Sequence, residues 1–171
     1  PRFTLRLRRL SGGAMPLLVL TVTFAAFDWI MSLTPVWYSG VYGAMVGIGM
    51  TLQALVLVII LVAFFARFEP MSQVMNRKLF GDLGNLTLAL LMIWAYLCLS
   101  QLIIIWSANL PEESPWYLAR VEGAWVLATV AIGVFHFFVP FMLLLSGEIR
   151  RSARALSGVA ALLLAMRFVD M

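Results

Sequence analysis

Two ionisable side chains of this sequence stand inside long apolar runs, where each is costly to keep. Asp28 lies in TFAAFDWIMSL, and His136, the sole histidine, lies in ATVAIGVFHFFVPFMLL. A carboxylate and an imidazole are the two groups best suited to pick up and release protons near neutral pH when their surroundings tune them. Buried in hydrocarbon, each must face protein or water. Asp28 therefore has two readings, a proton carrier or ligand, and a carboxylate that bonds or caps a neighbouring helix. His136 has two as well: a hydrogen-bonded core histidine, or a functional group. Haem b spans use a second axial histidine, and the chain offers no second one.

Other polar residues fall at helical spacing around these two. Pro140 follows His136 by four, which removes the helix hydrogen bond to the His136 carbonyl and frees that oxygen for water or a donor. Glu122, Thr129 and His136 are seven apart and return to nearly one helix face. Tyr96 and Ser100 are four apart, with Gln101 alongside and Ser107 seven beyond Ser100. Ser32 and Thr21 flank Asp28 in the same way. Arg167 and Asp170, three apart, can pair on one face. Together these stripes outline either a hydrated proton path or a set of interhelical hydrogen bonds that hold helices together. Glu112 and Glu113 are expected to form a solvated acidic turn.

The elements that must position these groups are membrane helices. The 171 residues are 63% hydrophobic and only 12% charged, with a mean hydropathy of +1.00. A water-soluble core of this length cannot hide that much apolar surface. With about 20 apolar residues per helical span as the ruler, the chain divides into five spans, near 14–33, 41–66, 83–107, 123–146 and 155–171. An all-α, multi-pass bundle follows, expected as a single unit over residues 1–171. Within the second span, Gly43-xxx-Gly47 permits close approach of another helix.

The basic residues cluster between spans. Arg2, Arg6, Arg8, Arg9, Arg67, Arg77, Lys78, Arg150, Arg151 and Arg154 occupy the N-terminal segment and the second and fourth loops, against Arg120 alone in the first and third. By the positive-inside rule the residue 1 side is cytoplasmic. Trp37, Tyr38, Trp116 and Tyr117 then mark the opposite interface, where amphipathic rings belong. This distribution argues for lipid and against nucleic acid as the partner of the +4 net charge. Cys98, the single cysteine, excludes an internal disulfide and a cysteine-ligated metal or iron–sulfur site within this chain, and no CxxCH motif attaches haem. The ends are expected to be internal to a longer protein. Pro140, as a helix breaker, also fits half of a secondary transporter, although no inverted second half is apparent; a purely structural anchor is the third possibility.

The phrases TFAAFDWIMSLTPVWYSGVYG, IIIWSANLPEESPWY, FHFFVPFMLLLS and MRFVDM resemble the large membrane subunits of bacterial alternative complex III, relatives of the NrfD and polysulfide-reductase membrane anchors. The likeness covers about residues 21–170. The unbroken WSANLPEESPWY run and the LGNL opening of the third span look more like the F-type subunit than its paralogous C-type, and imply the C-terminal half of such a subunit. The resemblance implies a membrane subunit of a respiratory quinol:electron-acceptor oxidoreductase. In it, haem c and iron–sulfur clusters sit on a multihaem cytochrome and an iron–sulfur partner. No cofactor is expected on this chain, quinol is expected in the complex, and the location implied is the bacterial cytoplasmic membrane. The F-type subunit is expected to offer a proton path, with Asp28 in the Asp-Trp motif and His136 in the Phe-His-Phe motif. One departure is Thr34-Pro35-Val36-Trp37, where the family pattern often has Glu-Pro-His-Trp; it removes two titratable groups from the outer loop.

Overall fold

The computed structural model describes residues 2–34, 37–69, 71, 75–111 and 114–170. The described residues are helical and turn, without strands. Helix α1 (Arg2–Ala25) runs into a π-helical turn (Ala26–Ile30) and a 3₁₀ turn (Met31–Leu33). Then come α2 (Tyr42–Phe65), α3 (Arg77–Ala108) and the short α4 (Ser114–Val121). Helix α5 (Trp125–Ala131), a π-helical stretch (Ile132–Phe138) and α6 (Val139–Leu145) form one continuous rod. The chain continues through α7 (Gly147–Arg151) and α8 (Ala153–Asp170).

Four of these rods are long and apolar enough to cross a membrane: Thr4–Leu33, Tyr42–Phe65, Arg77–Ala108 and Trp125–Leu145. The all-α membrane bundle is thus the fold, and the chain is a multi-pass membrane protein. The fifth apolar segment forms α8, which carries three ionisable residues, Arg154, Arg167 and Asp170. The helices overrun the apolar stretches that define them, because backbone hydrogen bonding continues into polar sequence until a cap or breaker intervenes. Helix α3 starts six residues before the apolar run, at Arg77, and is capped by Asn76, whose side-chain oxygen accepts from the Leu79 N–H at 2.9 Å. It stops at Asn109 in the left-handed region, φ 47°.

The fold divides into two compact units, Pro1–Gly47 and Ile48–Met171. In the first, α1 and the start of α2 meet closely. A Cβ on Gly43 would lie 2.7 Å from Thr23 Cγ2 and 3.1 Å from Thr23 Cα, whereas one on Gly47 would make only an ordinary contact with Val22. Of the Gly-xxx-Gly pair, Gly43 is the one that admits the neighbouring helix. Trp37 is buried edge-on against Tyr42, with ring centres 5.3 Å apart.

In the second unit the core is a cluster of Leu52, Val56 and Ile59 from α2, Phe80 and Leu91 from α3, Leu144 from α6, and Leu156, Val159, Ala160 and Leu163 from α8. On α2 and α8 these positions fall on one face at helical spacing, and on α3 Phe80 and Leu91 lie about three turns apart, so each of these helices contributes one stripe. The opposite faces carry exposed Leu57, Val58 and Leu61 on α2 and Met92, Ile93, Leu99 and Ile103 on α3. Apolar residues both inside and out are what a lipid solvent requires of a helix bundle.

Candidate functional site

Pro140 shapes the backbone on which His136 is carried. A proline ring clashes with the carbonyl four residues earlier and supplies no N–H. The chain answers by widening: the Val139 N–H reaches back five residues to the Val134 carbonyl, and Ile132–Phe138 winds as a π-helix. Such wide turns concentrate at functional sites, because the extra residue per turn re-aims side chains. His136 is turned inward by this stretch and is 1% exposed. Its ring lies edge-on to Trp94 of α3, with centroids 4.6 Å apart. Its Nδ1 is enclosed without a hydrogen-bond partner among the described residues.

Beside it runs α8, whose C-terminal end carries the Arg167–Asp170 ion pair. The two side chains are 11% and 25% exposed, and this is the sole ion pair among the described residues. Both His136 and Cys98 of α3 lie within the electrostatic reach of that pair. The guanidinium of Arg167 lies flat against α2 at Gly49, where a Cβ would come within 2.8 Å of Nη2 and 3.0 Å of Cζ. One turn along the same face of α2 stands Gln53, whose amide oxygen and nitrogen are both enclosed and without hydrogen-bond partners among the described residues. Arg167 Nε is in the same condition. Gln101, 5% exposed, lines the α3 side one helical face down from Trp94 and Cys98.

Four elements of the second unit therefore carry polar side chains inward: Gln53 on α2, Trp94, Cys98 and Gln101 on α3, His136 on the π-helical stretch, and Arg167 with Asp170 on α8. Each enclosed polar atom costs free energy unless it is hydrogen-bonded. Polar, enclosed positions of this kind are where ordered water resides in proteins.

Of the residues singled out by spacing, His136, Gln101, Arg167 and Asp170 come together here. Tyr96 does not: it is 68% exposed on the other side of α3. Ser100 is half-buried. The inward face of α3 is the Trp94, Gln101, Ile105 register, offset from the Tyr96–Ser100 stripe. The expected seam of Glu122, Thr129 and His136 is interrupted. Gly123 has φ 59°, a left-handed conformation natural to glycine, and separates Glu122 from α5. The π-helical winding then shifts the phase between Thr129 and His136. Thr129 instead donates to the Arg120 carbonyl at 2.8 Å, and both Thr129 and Glu122 are exposed.

Asp28 belongs to the first unit. It too sits in a π-helical turn, Ala26–Ile30, and its carbonyl accepts from the Ser32 hydroxyl. Its side chain is exposed. Pro35, Val36, Glu112 and Glu113 lie outside the described residues, so the variant outer-loop motif and the acidic turn are not placed. Among the described residues no group of three His, Cys, Asp or Glu is arranged to hold a metal ion.

The segment between the third and fourth candidate spans folds as α4, an amphipathic helix in which Arg120 stacks on Trp116 with its guanidinium carbon 3.3 Å from the ring centre. Tyr117 lies on its inner side, next to a shallow, largely apolar cavity of about 200 Å³ that Leu102, Ile105 and Trp106 also line. Burial pushes the Tyr117 phenol up to about 12, against the nearby Arg120 charge.

Compared with known protein families and with curated proteins, the chain matches none.

Residues that spacing did not single out are Gln53, Trp94 and the Gly49 seat for Arg167. Gln53 had a signal, since an amide inside a strongly apolar helix requires a partner. Trp94 had none, because an inward tryptophan and a lipid-facing one look alike in a uniformly apolar run.

Proposed function

We propose that this chain is an integral membrane subunit of a bacterial respiratory, quinol-oxidising complex of the alternative complex III type. Within it, the chain supplies a proton path and scaffold rather than a redox centre. The complex assignment rests on the sequence resemblance. The proton role rests on one observation: the only histidine is buried in a proline-induced π-helical break, its Nδ1 without a partner among the described residues, beside the helix that carries the Arg167–Asp170 pair. An imidazole with one free nitrogen accepts and passes a proton through hydrogen-bonded water, and the pair sets the local field.

On this reading the chain lies in the cytoplasmic membrane with residue 1 on the cytoplasmic side, and Asp28 is a second proton-carrying group. Its exposed carboxylate at membrane depth is then covered by another subunit, the paralogous C-type membrane protein. The multihaem cytochrome and iron–sulfur partners carry the electrons.

Gentle detergent purification of the full-length protein tests the assignment. Haem c absorbance and iron–sulfur subunits should co-purify, and a colourless chain running alone would remove it. In the purified complex, His136→Gln and Asp28→Asn should each uncouple proton movement from quinol oxidation while leaving subunit composition intact. Full coupling in both variants would reduce the chain to an anchor.

A further inference from the structure

A second group of charges lies at the other end of the Ile48–Met171 unit. The short helix α7 is a crosspiece between α6 and α8, set off by Ser146 and Ser152, both extended with ψ 120° and 118°. It lies across the first turns of α3, and two glycines there receive two consecutive arginines. A Cβ on Gly84 would come within 2.9 Å of Arg150 Cβ and 3.2 Å of its Cα, and one on Gly81 within 3.3 Å of Arg151 Cγ. Arg150 Nη1 donates to the Asn85 side-chain oxygen. Its Nε is enclosed, with no partner among the described residues. Arg77 stands one turn before Gly81 on the same face of α3 and is exposed, as is Arg151. Asp82 and Glu148 are near in sequence, yet among the described residues no carboxylate pairs with any of these three arginines.

Three arginines placed along one face of α3, with no paired carboxylate among the described residues, repel one another less when an anion joins them. Guanidinium groups match phosphate oxygens in fork geometry, and basic pockets between spans at the membrane surface take anionic headgroups. The geometry points to a binding site for the phosphodiester headgroup of an anionic phospholipid, seated on the Gly81–Gly84 face of α3 and held by Arg77, Arg150 and Arg151. A lipid, rather than a soluble phosphate, fits the site because exposed Phe64, Phe65 and Leu86, near the same ends of α2 and α3, offer apolar surface for its chains. The site is separate from the His136 cluster and stands whether or not the respiratory reading does.

The test uses the purified full-length protein, delipidated and returned to mixed micelles containing phosphatidylglycerol or phosphatidylcholine, with retained lipid counted by native mass spectrometry. Phosphatidylglycerol should be retained in preference to phosphatidylcholine. Arg151→Gln and Arg77→Gln, both at exposed positions, should each weaken retention about fivefold, the effect of one charge at a membrane surface. Arg151→Lys should keep most of it. Gly84→Ala moves Arg150 without changing charge and should also release the lipid. Equal retention of the two lipids, or unchanged retention in both glutamine variants, overturns the site. Complete displacement by millimolar inorganic phosphate would overturn the lipid assignment in favour of a soluble anion.

Discussion

At the scale of single residues, what decides a role is whether a polar atom in an apolar medium has a partner. His136 Nδ1, the Gln53 amide and Arg167 Nε have none among the described residues, whereas Thr129 is satisfied by a backbone carbonyl. That difference separates candidates that helical spacing could not rank. Tyr117 shows the same physics at the surface. Its phenol, near 10 in water, is raised to about 12 mainly by burial, which disfavours the phenolate. A raised value means that the unfolded chain loses its proton first as pH climbs. The contribution of Tyr117 to stability should therefore be intact below pH 10 and disappear as pH approaches 12. Titration of phenolate absorbance should show a late component that is absent from Tyr117→Phe, and a single transition near 10 in both proteins would contradict the assignment.

Elements are shaped by where backbone hydrogen bonding is interrupted. Pro140 produces the π-helical stretch that turns His136 inward; Gly123 ends the polar seam above it; Gly43 and Gly49 admit another element's atoms where any side chain would collide. Gly43→Ala should cost about 1–3 kcal/mol through overpacking, because the collision is partly with the Thr23 backbone, which cannot rotate away. Gly47→Ala, whose Cβ would make an ordinary contact at 3.7 Å, should be close to neutral. Comparing the two in detergent or denaturant unfolding checks which glycine carries the contact. The helix boundaries were only partly legible in the sequence for a related reason. Apolar runs mark the hydrocarbon-embedded part, but helices continue through Arg2–Arg9, and through Arg77–Asp82 as far as the Asn76 cap.

For the whole molecule, the apolar exterior fixes the solvent as lipid, and the charge distribution predicts which loops share a side. Orientation has a direct test, since Cys98 is the only cysteine. In a Cys98→Ser background, Gly40→Cys and Lys78→Cys should be labelled from opposite sides of sealed vesicles by a membrane-impermeant thiol reagent, with Lys78→Cys reached from the cytoplasmic face. Labelling from one side would overturn the topology. Composition and hydropathy by themselves determined that this is an all-α, multi-pass membrane protein, because burying about 20 apolar residues per span in lipid needs no knowledge of neighbours. They also picked out His136 and the Arg167–Asp170 pair, since ionisable groups in such runs are rare and expensive. Only the tertiary structure decided which face of each helix turns inward. In lipid both faces are apolar, so periodicity carries little phase information, and the choice between Tyr96 and Gln101, or the meeting of Arg167 with Gly49, depends on contacts between helices far apart in the chain.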